Sequence, residues 1–188
     1  VIEIIVLAVA AFIATHIDEA IALVAFYTDP RLKHADVFVG QYLGMSAIVA
    51  IALTLALLSL AIPDRYVGYL GLLPILIGVK SLWLARRPGK DPWCATTPLG
   101  ARDPMSSVAL VSIAHGGDNI AVYVPLFARH TIPQIILICA IFAAMTGLWL
   151  LYGKLLVSRP EIVESIRRWG PVTVPWVLIA IGIFVLLR

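Results

Sequence analysis

Charge is what this sequence has least of. Only 13% of its 188 residues are Asp, Glu, Lys or Arg, against 61% that are apolar, whereas soluble domains carry roughly one-quarter charge. That balance excludes an ordinary soluble domain. Cysteine is scarce as well: Cys94, in a loop, and Cys139, in an apolar run, match neither a zinc spacing nor a disulfide framework. No G-x-x-x-x-G-K-[ST] loop occurs, so any work the protein does is expected to draw on an ion gradient rather than a nucleotide. The first apolar run lacks a basic n-region and is broken by His16, Asp18 and Glu19, so it reads as a retained helix and not as a signal peptide. Alternating segments of about ten residues are missing too, which argues against a membrane barrel. The net charge of +3 resides in loops and speaks to membrane orientation; no nucleic-acid partner is expected.

What is present is a series of continuous apolar runs, over 2–27, 37–62, 66–85, 106–128, 134–157 and 172–187. About 20 apolar residues cross a hydrocarbon core of ~30 Å as a helix, and a helix satisfies each backbone N–H internally, as lipid requires. The expected fold is therefore an all-α membrane protein of six transmembrane helices. Pro, Gly and charged residues punctuate the gaps. The longest gap separates a first three-helix half (1–88) from a second (106–188) by a linker at 89–105. Lys and Arg concentrate in alternate loops: Arg31 and Lys33, then Arg86, Arg87, Lys90 and Arg102, then Lys154, Arg159, Arg167 and Arg168. The other side has Arg65, Arg129 and Arg188. By the positive-inside tendency, loops one, three and five are cytoplasmic and both termini face outward.

Offsetting the chain by 100 residues superposes Ala14 on Ala114, Asp18 on Asp118 and Val24 on Val124. The same offset carries Gly44-Met45-Ser46 onto Ala144-Met145-Thr146. Chance is one reading, because apolar helices share a small alphabet. The other is an internal repeat, and three helices per half would make it inverted, with a substrate site near the midplane where the halves meet.

Two polar motifs interrupt the apolar runs: Ala14-Thr15-His16-Ile17-Asp18-Glu19 and Ala114-His115-Gly116-Gly117-Asp118-Asn119. An ionisable group at bilayer depth costs at least ~2.5–3.5 kcal/mol and by default marks a functional site. Asp and Glu are too short to snorkel from mid-helix. Helical spacing puts Thr15, Asp18 and Glu19 on one face, and His115, Asp118 and Asn119 on another. Facing each other, with His16, they offer oxygens and imidazoles to a divalent cation. A purely structural role, with the two aspartates satisfied by local donors and locking helices together, is the alternative. Lys80 is the one cation near enough to a helix interior to pair with an acid. Gly116-Gly117 would either loosen the hydrogen-bond ladder around an ion or admit a close neighbour. Gln41 and Tyr42, near the start of the second run, either line an access path or, as polar residues near a helix end more often do, lie at the interface, which is the expectation. Met45, Met145 and Cys139 are expected as packing, and His34 and His130 lie in loops.

Those stretches, Ala14 to Glu19 followed by Gly40-Gln41-Tyr42-Leu43-Gly44, and Gly116 to Leu126, resemble the cadmium-resistance permease family, CadD-like proteins of the lysine-exporter superfamily. Glu19 and His115 depart from the family pattern, which more often has a second aspartate and a small amide residue there. The resemblance implies export of a divalent metal, cadmium in the first place, with Asp18, Glu19, Asp118 and Asn119 in the ion path. The expected function is thus a secondary transporter of the bacterial plasma membrane that exports a divalent metal by proton antiport, without an enzymatic activity or a resident cofactor. Its partners would be the cation, the lipid bilayer and, in a homodimer, a second copy. Two rivals stay open: export of an amino acid or organic cation, against which the lack of a buried Arg speaks, and an intramembrane metal-dependent enzyme.

Overall fold

The computed structural model describes residues 1–17, 19–59, 69, 72–85 and 104–186. Almost all of them are helical: α1 (Ile2–His16), α2 (Glu19–Thr28), α3 (His34–Ser59), α4 (Leu72–Ala85), α5 (Pro104–His115), α6 (Gly117–Ala128), α7 (Ile132–Leu156) and α8 (Pro160–Leu186). Asp18 lies outside the described residues, as do Arg65, Arg86, Arg87, Lys90, Cys94, Arg102 and Arg188.

The all-helical expectation holds, with instructive differences. The run 2–27 is two helices, α1 and α2, set at 64° to each other. The run 106–128 is also two, divided at Gly116, where the Gly116 N–H turns to Ile113 O at 3.1 Å in a three-residue bond. The last helix starts at Pro160, twelve residues before the apolar run. Its added turns carry Glu161, Glu164 and Arg168, which project from exposed positions and are spaced as helical neighbours. Arg167 and Arg168 thus belong to a helix and not to a loop.

By length and composition, α3 and α7 can each cross a membrane, and α1 with α2 makes a third span if the broken pair is one crossing. At 12 residues each, α5 and α6 would rise only about 18 Å apiece. Large apolar side chains remain outward-facing along these helices, among them Leu58, Leu76, Ile136, Leu148, Leu151 and Leu155. Such continuous apolar surface is a liability in water and the expected exterior in lipid. The chain is a membrane protein.

The core runs through α1, α3, α6 and α7, around Phe12, Ile48, Tyr123, Phe127 and Phe142; the Phe142 ring lies 4.4–6.3 Å from those of Phe12, Tyr123 and Phe127. α3 packs on α5 and α6; α7 packs on α1 and α2; α4 packs on α8. Between α2 and α3, Arg31 forks onto Asp29 at 2.7 Å and holds that carboxyl down at about 2. Thr131 and Gln134 close a capping box at the start of α7.

Glycines set the distance between α3 and α5. A Cβ on Gly40 would lie 2.6 Å from Val108 Cβ and 2.7 Å from the backbone oxygen of Met105, and one on Gly44 would lie 2.7 Å from Ser112 Cβ. This is the small-xxx-small contact by which membrane helices approach closely. Gly40→Ala is accordingly expected to cost about 1–3 kcal/mol, read as a lowered unfolding midpoint in detergent. Gly117→Ala is the control, because nothing lies within 4 Å of the added Cβ, and it should leave the midpoint unchanged or higher.

Candidate cation site

Both polar motifs coincide with helix breaks: α1 ends at His16 and α5 at His115. Residues on the two sides of each break do not share one continuous helix face, so spacing alone misplaces them relative to each other. Their surroundings follow from the tertiary packing instead.

Glu19 opens α2 and is 4% exposed. Its Oε2 accepts a hydrogen bond from Gln41 Nε2 at 3.1 Å and stands 3.7 Å from His16 Nε2. The amide continues the chain, because Gln41 Oε1 accepts from Ser112 Oγ at 2.8 Å. Glu19, at the start of α2, is thereby linked through α3 to α5. Gln41 is thus buried and not interfacial: α3 begins at His34, which carries Gln41 about two turns into the helix. The close α3–α5 approach at Gly40 and Gly44 brings Ser112 to it.

His16 is also buried, stacked on Phe12 at 3.7 Å with Trp149 edge-on at 5.9 Å. Its Nδ1 is 3.0 Å from Phe12 O. A carbonyl can only accept, so Nδ1 carries the proton and Nε2 keeps its lone pair toward Glu19. Metal-ligating histidines are oriented in this way, through the N–H of the second ring nitrogen. Thr15 donates within its own helix to Ala11 O or Phe12 O, and its Oγ1 lies 3.1 Å from Tyr123 Oη of α6. That contact joins the two broken helices to each other.

In the second motif, Asp118 is half-buried and its Oδ1 accepts the Asn119 N–H at 2.9 Å. An acid in the first turn of α6 suits the positive end of a helix dipole. Asn119 is 1% exposed, and neither atom of its amide meets a hydrogen-bond partner among the described residues. Leaving such a group unsatisfied costs about 1–3 kcal/mol, so its place calls for a polar or ionic neighbour. It sits one helical turn from Tyr123, on the same face. His115 is half-buried and turns Nδ1 onto Val111 O at 2.9 Å.

Of the sequence-derived candidates, then, the packing brings His16 and Glu19 together, joins Thr15 to them through His16 Nδ1 at 3.3 Å, and sets Asp118 beside Asn119. Among the described residues no three His, Cys, Asp or Glu side chains gather as a metal-binding group; Asp18 is outside that set. Lys80 is exposed on α4, so it is not buried against an acid. Gly116 is a packing glycine, with the Ile48 side chain directly against it, whereas Gly117 has open space. Ser112 and Tyr123 are functional candidates that the sequence does not single out, and Gln41 is one whose burial it does not give. Only Gln41, a lone amide in an apolar helix, gave a signal.

Comparison with curated proteins finds no match, and comparison with solved structures finds none either. A family profile does match, described as cadmium resistance transporter, over residues 12–188. That span contains both polar motifs and the Glu19–Gln41–Ser112 chain of hydrogen bonds, and the chain belongs to the cadmium resistance transporter family.

Proposed function

We propose that this protein is a secondary transporter that exports a divalent metal cation, cadmium or a similar ion, in exchange for protons. The observation that carries the reading is that both polar motifs sit at helix breaks, with buried Glu19 and the Asn119 amide, which meets no hydrogen-bond partner among the described residues, beside them. Transporters built from inverted repeats bind substrate at such discontinuous helices. Glu19, Asp18 and Asp118 supply charge; His16 Nε2, Thr15, His115 and Asn119 supply further donors. The metal is cargo here, and the chain needs no resident cofactor.

The helix contacts support two inverted three-helix halves. α3 packs on broken α5/α6, and its counterpart α7 packs on broken α1/α2, while the third helices, α4 and α8, pack on each other. A pseudo-twofold exchanging 1–88 with 106–188 generates each of these pairings from its mate. Six crossings in the plasma membrane, cytoplasmic loops one, three and five, and outward termini complete the topology. Rocking of one half against the other then gives alternating access.

Carboxylate and imidazole ligands must lose protons to hold a metal, which is the chemical basis of exchange. In proteoliposomes with an acidic lumen, external Cd²⁺ is expected to accumulate inside while lumenal pH rises. Reversing the gradient should reverse the flux, and a protonophore should abolish the dependence on pH. Metal entry that ignores the proton gradient would remove antiport. No metal movement at all in sealed, loaded vesicles would remove the transporter reading.

A further inference from the structure

We propose that Gln41 is a switchable ligand for the transported cation: its amide donates to Glu19 when the site is empty and turns to offer its oxygen when the metal is bound. This rests on the site reading above and adds a residue to it.

Three observations carry the inference. First, Glu19 Oε2 is claimed by Gln41 Nε2 at 3.1 Å. That amide hydrogen occupies one lone pair of Oε2, so a metal cation that binds the oxygen at that position displaces it. Second, the other end of the amide meets a hydroxyl, Ser112 Oγ at 2.8 Å. A hydroxyl both donates and accepts. Rotating the amide by half a turn puts Oε1 toward Glu19 and Nε2 toward Ser112, and Ser112 then accepts where it had donated. The contact across the two halves survives, with its polarity reversed. A partner that could only donate, such as a backbone N–H, would forbid that turn. Third, His16 and Glu19 alone do not make a three-residue His, Cys, Asp or Glu group among the described residues, and hard or borderline divalent ions accept amide oxygen.

Gln41 is 3% exposed and Ser112 is 2% exposed, so water does not readily replace either partner. The bend between α1 and α2 brings Glu19 to α3, and the glycines of α3 bring Ser112; Gln41 is where the two converge.

The chain contains two glutamines, Gln41 and Gln134, so side-chain ¹⁵N-glutamine labelling of the full chain in detergent gives two NH₂ signals. Gln41→Leu assigns them. Titrating Cd²⁺ is expected to shift the Gln41 signal and leave that of Gln134, which caps α7. Gln41→Leu should weaken Cd²⁺ binding by about 10–100-fold, whereas Gln41→Glu, which keeps an oxygen, should bind at least as tightly as the parent. A Gln41 signal unmoved at saturating Cd²⁺ overturns the proposal whatever the variants do. So does a folded Gln41→Leu protein with parental affinity. Glu19→Gln run in parallel separates the levels: if it loses Cd²⁺ while Gln41→Leu does not, only the switch fails, and if both bind as the parent does, the whole site fails with it.

Discussion

Glu19→Gln is expected to reduce metal flux and Cd²⁺ affinity by at least about 100-fold while leaving the protein as stable as before, or slightly more so. The carboxylate is buried, and an ionised group at this depth costs several kcal/mol unless something compensates it. Gln41 donates one amide N–H to it at 3.1 Å, and the His16 Nε2 that faces it at 3.7 Å brings a lone pair and not a proton. Replacing the acid by its amide keeps the volume and an oxygen for Gln41 to donate to, and it removes the charge that is hard to bury. Stability therefore has no reason to fall. Affinity does, because outer-shell partners of a metal are already worth about 10–100-fold, and a ligating charge is worth at least as much. Calorimetry and vesicle flux read the first effect; unfolding in detergent reads the second. A Glu19→Gln protein that carries metal at the parental rate would show that Glu19 serves packing and not transport.

The sequence made the helical class plain because six apolar runs leave no other way to satisfy the backbone in lipid. It also located the two motifs, since a buried acid stands out against Ala, Ile and Val. What it did not give was the breaks. Gly116-Gly117 hints at the second one, yet no glycine pair marks the first, which follows His16 in the middle of an apolar run. With the break unseen, Thr15 and Glu19 were placed on one helix face. In the fold Thr15 meets Tyr123 and Glu19 meets Gln41. Tyr123 and Ser112 were invisible for a related reason: each is ordinary in an apolar helix, and its significance comes from a partner 108 or 71 positions away. The first turns of α8 are rich in charge and so look like loop in the sequence, although Glu161, Glu164 and Arg168 follow a helical period.

In the proposed site the two motifs divide the labour. The first contributes an acid and an imidazole fixed by packing: His16 is held by Phe12 on its ring face and by a carbonyl at Nδ1. The second contributes Asn119, whose amide lacks partners among the described residues, and Asp118 at the start of a helix. A cation bridging the two would satisfy the orphaned amide and neutralise the buried acids together, which is how binding could draw the halves toward one another.

That bridging makes the two aspartates interdependent. Asp18→Asn and Asp118→Asn are each expected to lower transport by about 100-fold or more, in line with removing a directly ligating charge, and the double substitution should cost little beyond the worse single one. Residues that serve one bound ion are coupled, so their effects do not add, whereas independent sites more than 7–10 Å apart add within about 0.3–0.5 kcal/mol. The offset of 100 residues that pairs Asp18 with Asp118 predicts equivalence; the double-mutant cycle tests whether it is functional. Calorimetry with Mn²⁺, Zn²⁺ and Cd²⁺ on the parent, both single variants and the double variant supplies the four corners for each ion. Strict additivity would mean two separate ions or two separate roles, and it would break the shared midplane site. Unchanged affinity for all three ions in both single variants would remove the aspartates from the path altogether and leave Glu19, His16 and Asn119 to hold the cargo.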